Sequence, residues 1–175
     1  MSGASIDRSR RAFLFGAHAQ PCADTGLRPP WSLPDTFLDG CTGCASCVPA
    51  CPEGIVKLDE NNRAAVDFRR GSGLCSFCGA CADACPEPVF LVPALRAVTP
   101  PWTLRAEIGA DCLTHDGIIC QSCKDACGDG AIRFAPAAGR VSQPIIDLDR
   151  CTGCGACVDP CPASAIEMRR EAADV

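Results

Sequence analysis

Long amphipathic periods are missing from this chain. Its apolar residues come in short runs separated by cysteine, glycine and proline. Four runs read as short strands: Ile55 to Leu58, Ala64 to Phe68, Ile132 to Phe134, and Pro144 to Leu148. Alternation with period two is weak in them, so their bounds are approximate. Each pair of runs lies inside a 23-residue spacer, 52–74 or 128–150, between two groups of cysteines. The apolar stretch Ala12 to Ala19 is the longest near the start, and no run approaches the ~20 apolar residues of a membrane span. The breaker pair Pro100–Pro101 falls in a cysteine-free stretch and reads as a connection.

The pattern repeats. A shift of 76 positions carries Cys44, Cys47 and Cys51 onto Cys120, Cys123 and Cys127. The same shift carries Cys75, Cys78, Cys81 and Cys85 onto Cys151, Cys154, Cys157 and Cys161. Cys41 alone breaks the register: it lands on Gly117, and the corresponding cysteine is Cys112. The expected organisation is therefore an N-terminal extension (1–40), a first half (41–92), a connection (93–111), a second half (112–168) and a polar tail (169–175).

Composition narrows the chemistry. Of 175 residues, 17 are Cys, 16 Gly and 15 Pro, and only 5% are aromatic, with no Tyr. So few large apolar side chains make a poor core, a deficit that small domains make good with metals or disulfides. A net charge of −5 disfavours a sequence-independent grip on nucleic acid. A secreted disulfide scaffold expects an even cysteine count and a clear secretory signal. A zinc ribbon expects two separated C-x2-C knuckles per ion.

The spacing fits neither. Cys41, Cys44, Cys47 and Cys51 precede Pro52; Cys75, Cys78, Cys81 and Cys85 precede Pro86; Cys151, Cys154, Cys157 and Cys161 precede Pro162. Each is C-x2-C-x2-C-x3-C-P, the bacterial run for a [4Fe–4S] cluster. Thiolates two residues apart let one tight loop of small residues wrap three corners of a cuboidal cluster. The third set, Cys112, Cys120, Cys123 and Cys127, has an x7 first gap and Gly128 in place of Pro. Four sets predict four [4Fe–4S] clusters. The fourth cysteine of a run ligates the other cluster of a pair. The expected ligand sets are Cys41, Cys44, Cys47 with Cys85, and Cys75, Cys78, Cys81 with Cys51. In the second half they are Cys112, Cys120, Cys123 with Cys161, and Cys151, Cys154, Cys157 with Cys127. Pairing of the first set with the fourth, and the second with the third, is the alternative.

The long third loop has two readings, an exposed and labile cluster or a plain loop variant. His115 within it reads as a solvated side chain, since four cysteines are already available. Cys22 stands alone and reads as an incidental thiol. No Ser/His/Asp or Cys/His constellation stands apart from the clusters, so the chemistry is redox, without a substrate of the chain's own. The expected fold is α+β: two tandem bacterial ferredoxin-like halves with two clusters each, plus an irregular or helical N-terminal extension.

Ser9-Arg10-Arg11-Ala12-Phe13-Leu14 is similar to a twin-arginine export motif, with Ala17-His18-Ala19 as a cleavage site. The other reading is a short amphipathic helix capped by Ser5 that offers Ile6, Phe13, Leu14 and Phe15 to a partner.

Several segments together resemble the NapF family, ferredoxin-type proteins encoded with periplasmic nitrate reductases. They are the Ser-Arg-Arg start at 9–11, Arg28-Pro29-Pro30-Trp31-Ser32, Ile108 to Leu113, the C-x7-C third set, Cys85-Pro86-Glu87 and Cys161 to Ile166. The resemblance implies a cytoplasmic accessory protein, despite the export-like start. It implies interaction with the catalytic molybdenum subunit, NapA, before that subunit is exported. The implied role is maturation of NapA, through installation of its iron–sulfur cluster or supply of electrons from a donor not named by the sequence. The competing class is a stable electron-transfer subunit of a respiratory molybdoenzyme or hydrogenase complex.

Overall fold

The computed structural model describes residues 26–170. Cys22, the twin-arginine-like start and the helix capped by Ser5 lie outside the described residues.

Both halves use one plan: an inner hairpin, an outer pair of segments, and cysteine loops between them. In the first half the inner hairpin is β1 (Val56–Leu58) with β2 (Ala64–Val66), antiparallel, Val56 opposite Val66. It forms because Ile55, Val56, Ala64, Ala65 and Val66 are all buried. Asp59 closes the turn: its Oδ1 accepts the backbone N–H groups of Asn61 (2.9 Å) and Arg63 (2.8 Å), the local bonding that suits Asp to turns. Lys57 braces the strand end against Asp67 at 2.8 Å.

The outer pair of this half is reduced to an antiparallel bridge, Ser32 with Phe90. Leu33 N–H donates to Val89 O and Leu91 N–H to Trp31 O, both at 2.9 Å. The Arg-Pro-Pro-Trp-Ser segment, expected in the N-terminal extension, thus runs along the first half as its outer edge. Its prolines suit a position that forms almost no ladder.

In the second half the same roles go to longer strands. β3 (Leu104–Ile108) pairs with β6 (Ile166–Arg170), and β4 (Ile132–Ala137) pairs with β5 (Arg140–Ile146), both antiparallel. The expected run from Ile132 thus extends to Ala137 in β4, whereas the run expected over Pro144 to Leu148 is shifted, β5 starting at Arg140 and ending at Ile146. β3 forms inside the stretch read as connection, and β6 runs two residues into the stretch read as tail. Both alternate apolar and polar residues, Leu-Arg-Ala-Glu-Ile and Ile-Glu-Met-Arg, so Leu104, Ala106 and Ile166 are buried.

Helices are single turns: α1 (Phe37–Gly40), α2 (Cys47–Ala50), α3 (Ala80–Asp83), α4 (Pro93–Arg96) and α5 (Ser122–Asp125). α2 stops because Cys51 precedes Pro52, which pushes it out of the helical region, to φ −77° and ψ 110°. After Pro52 the chain makes a turn, closed by Gly54 N–H to Cys51 O (3.1 Å).

One apolar cluster serves both halves, joining Phe37, Ile55, Phe68 and Val89 to Leu104, Ile132, Val158 and Ile166. Phe37 and Phe90 meet edge to face at 5.6 Å in the first half. Trp102 is the wedge between halves, edge-on to both Phe68 (6.0 Å) and Phe77 (5.6 Å). No helix among the described residues is long and apolar enough to cross a membrane.

Candidate metal centres

The sixteen cysteines of the four sets are all free thiols. Three hollows show how they gather. Cys41, Cys44, Cys47 and Cys85 line the first, with Phe37, Val89 and Phe90 as apolar wall. Cys112, Cys120, Cys123 and Cys161 line the second, walled by Ile108, Leu113 and Phe134. Cys151, Cys154, Cys157 and Cys127 line the third, walled by Ala106, Ile132 and Met168. They measure about 330, 350 and 330 Å³ respectively, solvent-facing space included. The x7 gap therefore leaves the irregular set with a hollow of the ordinary size. For the remaining set, the thiols that bear electrostatically on Cys81 are Cys75, Cys51 and Cys78.

In every group three cysteines come from one loop and the other from its companion run. Among the described residues, no three His, Cys, Asp or Glu side chains converge on a point suited to a single metal ion. Four thiols standing around a space suit a cuboidal cluster better than one tetrahedral ion, whose sulfurs sit ~2.3 Å from a common centre. The donors fit a [4Fe–4S] group in type and number.

The three regular loops share a backbone device. The residues on either side of the middle cysteine are left-handed: Gly43 and Ala45 around Cys44, Phe77 and Gly79 around Cys78, Gly153 and Gly155 around Cys154. Such alternation turns successive N–H groups inward, a nest of the kind that receives anionic clusters. Ala45 (φ 62°) and Phe77 (φ 55°) carry a steric penalty for it that glycine does not. Gly155 is required for a second reason: a Cβ there would collide with the Phe68 ring.

The third loop solves the problem differently. Gln121 and Ser122, between Cys120 and Cys123, are not left-handed, and the one positive φ between Cys112 and Cys123 is at Gly117. Thr114 replaces the nest as anchor. It is 2% exposed, the one buried polar side chain among the described residues. Its hydroxyl lies 3.3 Å from Cys112 Sγ and donates to Gln143 Oε1 at 3.1 Å, while Gln143 Nε2 donates to Thr114 O at 2.8 Å. The long loop is thus tied to β5. No sequence signal marks this anchor, because a Thr in a polar loop looks solvated. His115 Nδ1 sits 3.1 Å from Ala110 O, on an exposed ring outside the hollow.

Electrostatics grade the thiols by burial. Desolvation pushes Cys47, Cys75 and Cys123 up to about 11, and Cys81 and Cys157 up to about 12. Neighbouring cysteines add to the rise, because like charges crowd. Exposed Cys44 goes the other way, lowered chiefly by the Ser46 hydroxyl at 3.4 Å. Buried thiolates at such spacing need a cationic partner to exist at neutral pH, which iron would supply. Backbone N–H groups are already aimed at two of the crossing sulfurs: Ala131 to Cys127 and Ala165 to Cys161, both at 3.3 Å.

Comparison with known proteins decides the family. Residues 40–89 and 118–166 each match a 4Fe-4S dicluster domain. The chain is 41% identical over 162 residues to "Ferredoxin-type protein NapF" of Escherichia coli (strain K12), covering 92% of this chain and 94% of that one. The chain belongs to the NapF family. The Haemophilus influenzae NapF is likewise 41% identical, over 91% of this chain and 92% of its own. A more distant relative is "Methylamine utilization ferredoxin-type protein MauM" of Paracoccus denitrificans, 33% identical over 82% and 70%. Like other NapF-type ferredoxins, this is an iron–sulfur protein that carries electrons on [4Fe–4S] clusters, held in two tandem ferredoxin-type domains.

Proposed function

We propose that the chain holds four [4Fe–4S] clusters and serves, in the cytoplasm, the catalytic molybdenum subunit of periplasmic nitrate reductase before its export. The grouping of the cysteines supports the count: each loop of three faces one cysteine of its companion run within the same half. The ligand sets are Cys41, Cys44, Cys47, Cys85; Cys75, Cys78, Cys81, Cys51; Cys112, Cys120, Cys123, Cys161; and Cys151, Cys154, Cys157, Cys127. When bound, the clusters supply one-electron redox chemistry. The protein's part is to deny them water, aim N–H groups at the ligand sulfurs, and set how charge is felt at each.

The near full-length likeness to NapF proteins carries the accessory role, since it covers the Arg-Pro-Pro-Trp edge and the third loop as well as the cysteines. The role is electron supply, cluster installation in the target subunit, or both, and the protein is an assembly factor more than an enzyme. Pull-down of the tagged full chain from the cytosolic fraction tests it. The unexported catalytic subunit, still bearing its leader, is the expected catch, and the bait should keep its own N-terminus. A stoichiometric place for the chain in a mature respiratory complex would overturn the role.

A further inference from the structure

Two ligand loops from different halves are joined directly. The backbone N–H of Cys75 donates to the carbonyl of Cys154 at 2.8 Å. Both residues belong to sulfur-bearing loops, the second set and the fourth. The link therefore runs from one ligand sulfur through its own Cβ, Cα and amide, across one hydrogen bond, and through a carbonyl to the other ligand's Cα, Cβ and sulfur. Nothing but ligand residues lies on that path. Cys154 is close enough to Cys75 for a charge on one to bear on the other.

The surrounding packing holds this junction closed. Phe68, 3% exposed, is seated on Gly155 with no room for a Cβ between them. Trp102 Nε1 donates to Thr152 O at 3.3 Å, and the ring stands edge-on to Phe68 and Phe77. A Cβ at Gly153 would collide with Leu104 O. Of the four ligand loops, these contacts involve the second, through Phe77, and the fourth, through Thr152, Gly153 and Gly155. The first and third sets are walled entirely by residues of their own halves.

We propose that the Cys75–Cys154 hydrogen bond is the electron bridge between halves, fixing the order of ligand sets as first, second, fourth, third. The step is a one-electron exchange: the centre held by one of these loops is oxidised as the centre held by the other is reduced, with no proton or further reactant. The first and third sets are then the two ends of one line rather than members of two separate pairs. The bridge rests on the four ligand sets of the proposed function.

Single variants of the full chain test it, each removing one crossing cysteine: Cys85→Ala (first set), Cys51→Ala (second), Cys161→Ala (third) and Cys127→Ala (fourth). After anaerobic reduction, iron and sulfide are counted and the electron paramagnetic resonance of the reduced clusters is recorded. Neighbouring reduced clusters broaden and split each other's signals; a cluster without a neighbour gives a sharp, uncoupled one. The bridge predicts an uncoupled signal of about one spin per chain in Cys51→Ala and Cys127→Ala, which strand an end. It predicts none in Cys85→Ala and Cys161→Ala, where three sets remain contiguous. If all four variants give an uncoupled spin, the halves are separate pairs and the bridge is refuted. Cys85→Ala and Cys161→Ala are each decisive should the other fail to fold: an uncoupled spin in either one refutes the bridge, and its absence supports it. Iron and sulfide that do not fall by about a quarter in each variant would instead refute the ligand sets, an outcome read from the metal count and distinct from the coupling result.

Discussion

Replacing Phe68 by Ala should loosen the seam between halves. Phe68 comes from the first half, is 3% exposed, and lies against Gly155 of the second half and the edge of Trp102. Truncating a buried Phe costs ~3–5 kcal/mol, and the lost edge-to-face pair is part of that figure at ~1 kcal/mol. The Gly155 side of the cavity cannot relax inward readily, because the same loop runs so close to β3 and Trp102 that Gly153 has no room even for a Cβ. A loss of ~3 kcal/mol, felt in the opening step that exposes the loops, speeds that step about 100-fold. Cluster loss is irreversible, so the observable is a rate. Anaerobic protein is mixed with a ferrous chelator in moderate denaturant, and bleaching of the visible iron–sulfur absorption is followed. Phe68→Ala should bleach about 100-fold faster than the parent. Val98→Ala, at a side chain 79% exposed, is the control and should not change. Bleaching of Phe68→Ala within about threefold of the parent would refute the claim that this contact closes the seam.

Two further substitutions probe single sets. Thr114→Val keeps the volume but removes the buried hydroxyl that donates to the partly buried Gln143 Oε1, at a cost of ~1 kcal/mol; the cluster of the third set should be lost about fivefold faster to chelator while the others keep their rate, and uniform loss from all sets would contradict the anchoring role. Arg96 lies over the Trp31 ring, donates to Gly79 O in the second loop at 3.0 Å and pairs with Asp83. Its positive charge favours the reduced, more negative centre, so Arg96→Met should lower the potential of the second set alone, by an amount of order 50 mV for ~1 kcal/mol at an effective dielectric near 20; a potentiometric titration with no shift would contradict it.

Legibility in the sequence follows the range of each interaction. The cysteine sets are plain because ligand spacing is a local property, fixed by how one loop wraps one cluster. The inner hairpins are visible too, within a few residues at their ends. The outer pairs are harder. β3 and β6 alternate clearly, yet Pro100–Pro101 marks a break just before β3, and its partner strand lies far along the chain, beyond two cysteine sets. Ser32 with Phe90 is a lone bridge with two prolines beside it and carries no periodic signal at all. The wedge of Phe68, Phe77 and Trp102 and the Cys75–Cys154 bond are tertiary facts, set by how two similar halves turn toward each other. Thr114 is hidden because burial, not residue type, makes it structural.

The sixteen thiols are proposed to hold four clusters. Quantification of iron and acid-labile sulfide on the anaerobically purified full chain tests it most directly. Four [4Fe–4S] clusters predict about 16 iron and about 16 sulfide per chain; about half those amounts, or zinc without sulfide, would contradict it.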